Sequence, residues 1–207
     1  MDLYIKGVVA SGSSRSTAKL MKTGQTVSQQ TGDDGDIEAG RNVDFLTLAE
    51  NNPFGNTNRF TSTTGNQTYT NSIIIDWSTY DGTTVLGWSR TLRGGTNATW
   101  SQDIAAALLL NIGGFSSGWR IPNITELLSI IDFGFNPANY VFNFLNYSPF
   151  NILANLSTST RASTTNIYKI NVSSGGSPAS FSIVDRFSQF NSYIACRTFT
   201  VTGTTLS

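Results

Sequence analysis

The chain is 207 residues long, with thirteen basic and thirteen acidic side chains, no histidine and one cysteine. That length supports one good core rather than two comfortable domains, and a single cysteine excludes an internal disulfide. The neutral balance supplies no field for nucleic acid or an anionic membrane, and the missing histidine removes the commonest general base and metal ligand.

Charged residues make up only 13% of the chain, about half the usual fraction. Asn, Ser and Thr supply the polarity instead, at 71 of the 207 residues. Such a surface suits short-range hydrogen bonding or packing against copies of itself. Residues 1–22 alternate at Leu3, Ile5 and Val8 and then turn Ser-rich. They predict a short strand and loop, an arm for attachment or oligomerisation ahead of a domain over 23–207. The first residues lack a basic segment followed by an apolar one. No stretch reaches the roughly 18 apolar residues of a membrane span. Synthesis in a cytoplasm without membrane insertion is therefore expected.

Asp33, Asp34, Asp36 and Glu38 place oxygen atoms at alternate positions, as a calcium loop does. The sixth position of that loop wants glycine and holds Ala39, and the distal Glu is missing. Asp-Gly pairs also build ordinary turns, so turns are favoured, with calcium the alternative and no other cofactor expected. Ile73-Ile74-Ile75-Asp76-Trp77 predicts a strand. Residues 83–88 predict another, separated by a turn at Tyr80-Asp81-Gly82.

Thr99 and Gln102 have capping-box spacing before Ile104, Ala105, Leu108 and Leu109, predicting a helix over about 100–111. A second helix is predicted over 124–132. Gly118 permits a bend, Pro122 directs an extended approach, Asn123 caps the helix, and Glu126 bonds back to the cap amide. Ile124, Leu127, Leu128 and Ile131 form its apolar face. Arg120 is read as structural, with Glu126 or Asp132 as its partner. Trp77, Trp88, Trp100 and Trp119 fall in predicted elements and are read as core. So is Cys196, which lies in the apolar run Ile194-Ala195-Cys196.

Beyond residue 132 the chain is rich in Asn, Ser, Thr and aromatic residues, with strands expected at 166–172, 180–184 and 193–201. Amide-rich and aromatic loops on a rigid scaffold are where binding resides. Arg161, Thr164, Asn166, Tyr168, Arg186, Gln189, Asn191 and Tyr193 form the candidate ligand surface, suited to sugars or to protein contacts. The same compositional bias is what retroelement mutagenesis of adenine-rich codons leaves, and low charge with β-loop structure explains it equally. Six Asn-x-Ser/Thr sites, Asn123 among them, reflect composition rather than glycosylation. No catalytic triad, phosphate loop or dinucleotide fingerprint occurs, and the abundant hydroxyls lack a base to activate them. No enzyme is expected.

The run from Gly118 through Trp119, Arg120, Pro122, Asn123 and Glu126 to Leu127 resembles the G-x-W-R-L-P-[NT]-x-x-E-L hallmark of the DUF1566 group, seen also as the C-terminal domain of a collagen-like adhesin. Thr23 to Thr26 with Gly32 to Gly40 is similar to that family's opening segment. Arg59-Phe60-Thr61 and residues 82–90 are similar to its strands, and residues 100–110 to its first helix. Ser157-Thr158-Ser159-Thr160 resembles its "WSST" turn, although Asn155-Leu156 stand where an aromatic usually does, and residues 196–199 resemble its closing strand. The resemblance implies an α+β, C-type-lectin-like fold with two short helices, antiparallel strands and long loops.

The resemblance further implies a non-enzymatic surface protein, which we expect on a bacteriophage virion as a receptor-binding or decoration module. Its expected partners are itself (a trimer, by analogy with collagen-like adhesins), other virion proteins through residues 1–22, and a host-surface glycan or protein. A secreted or cell-surface bacterial adhesin is the alternative. The scaffold of formylglycine-generating enzymes is also similar, but their reactive cysteines have no counterpart here.

Overall fold

The computed structural model describes residues 31, 58–64, 67–68, 72–94, 98–131, 155–171, 180–185, 187 and 192–207. The predicted arm over residues 1–22 and the acidic group Asp33, Asp34, Asp36 and Glu38 lie outside them. The described architecture is α+β, with antiparallel sheets and two helices.

A five-stranded sheet runs in the order β1 (Phe60–Thr61), β4 (Ile73–Asp76), β5 (Thr84–Ser89), β9 (Cys196–Thr202), β10 (Thr205–Leu206). β2 (Thr63–Thr64) and β3 (Gln67–Thr68) form a small hairpin. β6 (Asn155–Arg161), β7 (Asn166–Asn171) and β8 (Ser180–Asp185) form a separate three-stranded sheet. Helix α1 spans Trp100–Leu108 and helix α2 spans Ile124–Ser129.

Ile73, Ile74 and Ile75 are all fully buried. Alternate side chains on a strand point to opposite faces, so burial of all three means that the sheet is covered on both sides. On one face Ile74, Leu86, Trp88 and Cys196 pack against Leu127 of α2, against Ile130 at its C-cap and against Leu156 and Ile170 of the smaller sheet. On the other face Ile73, Ile75, Val85 and Phe199 pack against Ala107 of α1 and against Ile112, Trp119 and Ile121. Gly87 fits between these layers because it has no side chain. A Cβ there would collide with the Phe199 ring.

Every tryptophan read as core is buried, at 8% exposure or less, and Cys196 is fully buried. The apolar face expected for α1 is corrected in part. Trp100, Asp103 and Ala107 face inward and Ile104 packs against the core as expected, while Ala105, Leu108 and Leu109 are exposed. The anchor is Trp100, whose Nε1 donates to the Thr158 carbonyl at 2.8 Å; that contact sets the helix rotation and turns the leucine pair outward. Both helices are also shorter than expected. α1 closes at the Leu109 cap, whose N–H bonds the Ala106 and Ala107 carbonyls, and α2 closes likewise at Ile130.

One buried ion pair ties the sheet edge to α2. Arg59 and Asp76 are both fully buried, and the guanidinium donates Nε and Nη2 to the two carboxylate oxygens, each at 2.9 Å. Nη2 also donates to the Ser129 carbonyl at the end of α2, 2.8 Å away. Asp76 further accepts from the Ser78 amide and hydroxyl, capping the 3-10 turn Trp77–Thr79. Loss of one partner strands a buried charge, so Asp76→Asn is expected to lower the unfolding free energy by about 3–5 kcal/mol. Urea denaturation measures this, and stability equal to wild type would refute the role given to the pair.

Candidate functional site

The segment over 118–127 is a brace whose polar groups are mostly spent on one another. Trp119 is fully buried and donates Nε1 to the Phe115 carbonyl at 2.9 Å. Arg120 exchanges two backbone hydrogen bonds with Cys196, both at 2.9 Å, fastening the segment to β9. Its guanidinium makes a forked pair with Glu126, with Nη1 and Nη2 at 2.7 and 2.5 Å from the two carboxylate oxygens. Glu126 also accepts the Asn123 N–H, and Asn123 Oδ1 accepts the Glu126 N–H, both at 2.8 Å, completing the capping box. Glu126, not Asp132, is therefore the arginine's partner here; Asp132 lies outside the described residues.

This brace holds β6. The stretch expected as a turn, Ser157 to Thr160, is part of that strand and carries a register shift between Ser157 and Arg161. Three residues of β6, Thr158 to Thr160, lie where β7 has one, Tyr168, since Ser157 pairs with Lys169 and Arg161 with Ile167. The extra residues turn their polar groups away from the ladder. Ser159 N–H donates to the Pro122 carbonyl at 2.8 Å. Thr160 Oγ1 accepts the Ile124 N–H at 2.9 Å, satisfying a free donor of the first turn of α2. Thr158 receives the Trp100 indole on its carbonyl and donates its own hydroxyl to the Tyr168 carbonyl at 2.9 Å.

From that anchorage β6 and β7 run outward to an exposed turn. Arg161 donates Nε to the Ser163 carbonyl and Nη2 to the Thr164 carbonyl, at 3.3 and 3.1 Å. Ser163 Oγ accepts the Thr165 and Asn166 amides. The turn is thus internally braced, and Arg161, Ser163, Thr164 and Thr165 are exposed. Antiparallel register sets Tyr168 opposite Ile183 and Asn166 opposite Asp185, and opposite residues share a face. Ile170, on the same face of β7 as Tyr168, is buried in the core, whereas Tyr168 is half-buried and Ile183 is 58% exposed.

Of the eight ligand-surface residues inferred from sequence, Arg161, Thr164, Asn166 and Tyr168 fall together at this end of the smaller sheet. Arg186, Gln189 and Asn191 lie outside the described residues. Tyr193 is a correction: it is 1% exposed, and it packs in the core with Trp119 and Ala195. Its backbone is paired to Arg93 in both directions, which turns the ring inward, and burial raises its phenol pKa. Sequence reasoning passed over Ile183, which nothing marks in the run Ser182-Ile183-Val184. It also missed Lys169, on the opposite face of β7, which is 8% exposed. Burial lowers the pKa of that ammonium, and the charge of buried Asp103 partly opposes the shift.

Among the described residues no group of three or more His, Cys, Asp or Glu side chains is placed to hold a metal. Burial pushes the Cys196 thiol up to about 12, far from the range of a nucleophilic thiolate. Cys196 is accordingly expected to resist a thiol reagent at about pH 8 while folded and to react fully in denaturant. Rapid labelling of the native protein would show that the strand opens. Burial also raises the Glu126 pKa, but the Arg120 hydrogen bonds, the Asn123 amide and the Arg120 charge outweigh it, so the net shift is downward.

A carboxyl depressed in the folded state stabilises above its ordinary value of 4.5 and loses that contribution as pH falls through the lower folded value. Glu126→Gln is therefore expected to cost about 1 kcal/mol near neutrality, given the partial exposure of the pair. The difference from wild type should shrink in acid. A pH-independent difference in thermal or urea unfolding would contradict this account.

Comparison with known families gives a match to the Lcl C-terminal domain model over residues 77–188. No curated protein and no solved structure matches the chain. The matched span runs from the 3-10 turn after β4 through the brace and into the segment following β8, while β9, the strand beside β5, lies beyond it. The match covers more than half of the chain, and the chain belongs to the Lcl C-terminal domain family.

Proposed function

We propose that this domain is a non-enzymatic recognition module displayed on a particle or cell surface, binding a host-surface glycan or protein. The observation that carries the reading is the end of the β6–β7–β8 sheet. There half-buried Asn166 and Tyr168 share a face with exposed Ile183, beside the exposed and internally braced turn that carries Arg161 and Thr164. Pre-ordered loops lose little entropy on binding. A half-buried aromatic beside an aliphatic side chain offers a flat apolar contact, rimmed by hydroxyl and amide groups. Membership of the Lcl C-terminal domain family is compatible with an adhesive role. In this reading the fold is C-type-lectin-like, and the carrier is a phage virion on which the domain self-associates, with residues 1–22 as the attachment arm. A secreted or cell-surface bacterial adhesin would use the same surface.

The test is binding of the purified protein to host cells and to a glycan array, beside Tyr168→Ala and Ile183→Ser variants with unchanged melting temperatures. At least about tenfold weaker binding by the variants is expected. Unchanged binding by both would remove this surface from the proposal, and no binding by the wild type to cells or glycans would end the recognition role. Detection of the chain in purified particles distinguishes the virion from the cell-surface carrier.

A further inference from the structure

Arg197, on β9, holds its guanidinium differently from Arg59, Arg120 and Arg161, and Arg93 is another arginine with a buried nitrogen, Nε, that has no hydrogen-bond partner among the described residues. Arg59, Arg120 and Arg161 each spend their guanidinium on carboxylate or carbonyl oxygens. Arg197 makes no side-chain hydrogen bond or ion pair among the described residues. Its guanidinium carbon instead sits 4.5 Å from the Phe115 ring centroid and 4.6 Å from that of Phe199. Those rings meet edge to face at 75°, with centroids 4.8 Å apart, so the cation occupies the corner between them. Nη1 is buried there without an acceptor; Nε and Nη2 are not buried.

Arg197 is partly buried, so its cation without a counter-charge carries part of the cost of desolvation, and its accessible edge, Nε with Nη2, is the part a ligand can reach. Burial is the cause that lowers the Arg197 pKa, with no neighbouring carboxylate contributing. Gly118 completes the geometry. Its φ of +79° already disfavours other residues, and a Cβ there would stand 3.0 Å from Arg197 Nε. Glycine at this position therefore keeps the outward edge of the fork uncovered. Ser116 and Ser117, just before it, are exposed.

We propose that Arg197, held by Phe115 and Phe199 and uncovered by Gly118, is a subsite for a single carboxylate group of a ligand. The fork presents Nε and Nη2 side by side, which matches the two oxygens of a carboxylate in a bidentate pair. Stacking against two rings fixes the fork before the ligand arrives, so little rotamer entropy is lost on binding. The site lies on the five-stranded sheet, apart from the β6–β7 turn, and does not depend on the role given to that turn.

The probe is acetate, titrated into the intact protein while NMR follows the Arg197 Nε–H and Gly118 amide resonances, with chloride at equal ionic strength as the control. Saturable movement of both resonances with a Kd of roughly 10 mM is expected. In Arg197→Lys, which keeps the charge and loses the fork, the Gly118 shift should weaken at least about tenfold in affinity. Arg197→Met gives a second reading if the lysine variant folds poorly, and it should show no acetate-specific shift. Glucuronate and N-acetylglutamate then distinguish the source. Tighter binding of the first points to an acidic sugar, and of the second to an acidic peptide. Resonances that do not move, that move equally in chloride, or that still respond in Arg197→Met would overturn the proposal.

Discussion

Three hydrogen bonds from the irregular stretch of β6 fasten the smaller sheet to both helical segments, beside the packing of Leu156 and Ile170 against the central sheet. The Trp100 indole reaches the Thr158 carbonyl, the Ser159 amide reaches the Pro122 carbonyl, and Thr160 Oγ1 receives the Ile124 amide. A regular strand has no polar groups to spare, because its N–H and C=O groups are consumed by its neighbours. The bulge releases three consecutive residues from that ladder and spends them on α1, on the approach to α2 and on the first turn of α2. In this way a defect in one sheet becomes the fastening of that sheet to the rest of the molecule.

The brace that receives these bonds is polar, and the layers around it are not. Arg120, Asn123 and Glu126 close a ring of hydrogen bonds at the start of α2. A few residues later Leu127 and Ile130 enter the core beneath the central sheet. At the far end of the helix, Arg59 and Asp76 fasten the Ser129 carbonyl to the sheet edge. A six-residue helix has little stability of its own. This one is held by a capping box at its start, an arginine at its end and apolar packing between.

That rigidity bears directly on the recognition role proposed for the β6–β7 turn. The turn between β6 and β7 is exposed, yet its position is set by contacts that reach Trp100 and Pro122 through the bulge. Side chains at such a place vary at small cost to the core, whereas those of the bulge and brace do not. Arg197 is different in kind, since its aromatic corner belongs to the second core layer, where Phe115 and Phe199 also pack. Among the described residues that charged group has no hydrogen-bond or ion-pair partner, which is the ground for the subsite proposed above.

Much of the scaffold was legible in local sequence. The Gly-Trp-Arg-Ile-Pro-Asn run with Glu126 three residues beyond Asn123 specifies a bend, an extended approach and a capped helix, because each feature depends on neighbours within one turn. The isoleucine triplet marked a strand for the same reason. The inward face of α1 was not legible. Ile104 packs inward as its period suggests, but Leu108 and Leu109 fit the helical period equally, and the long-range bond from Trp100 to residue 158 turns them outward. Residues 157–160 likewise have the composition of a turn, and their strand character arises from pairing with a β7 that begins six residues further on. Tyr193 looked like a surface aromatic until its backbone pairing with Arg93 turned it inward. The sequence by itself determined the caps and the buried tryptophans and cysteine, which follow from short-range geometry and hydrophobicity, while its resemblance to a known family implied the α+β class. The ion pair from residue 59 to 76, the docking of the bulge, and the surface sharing of Tyr168 with Ile183 were decided only by the tertiary structure. Each joins residues whose spacing along the chain carries no signal of their contact.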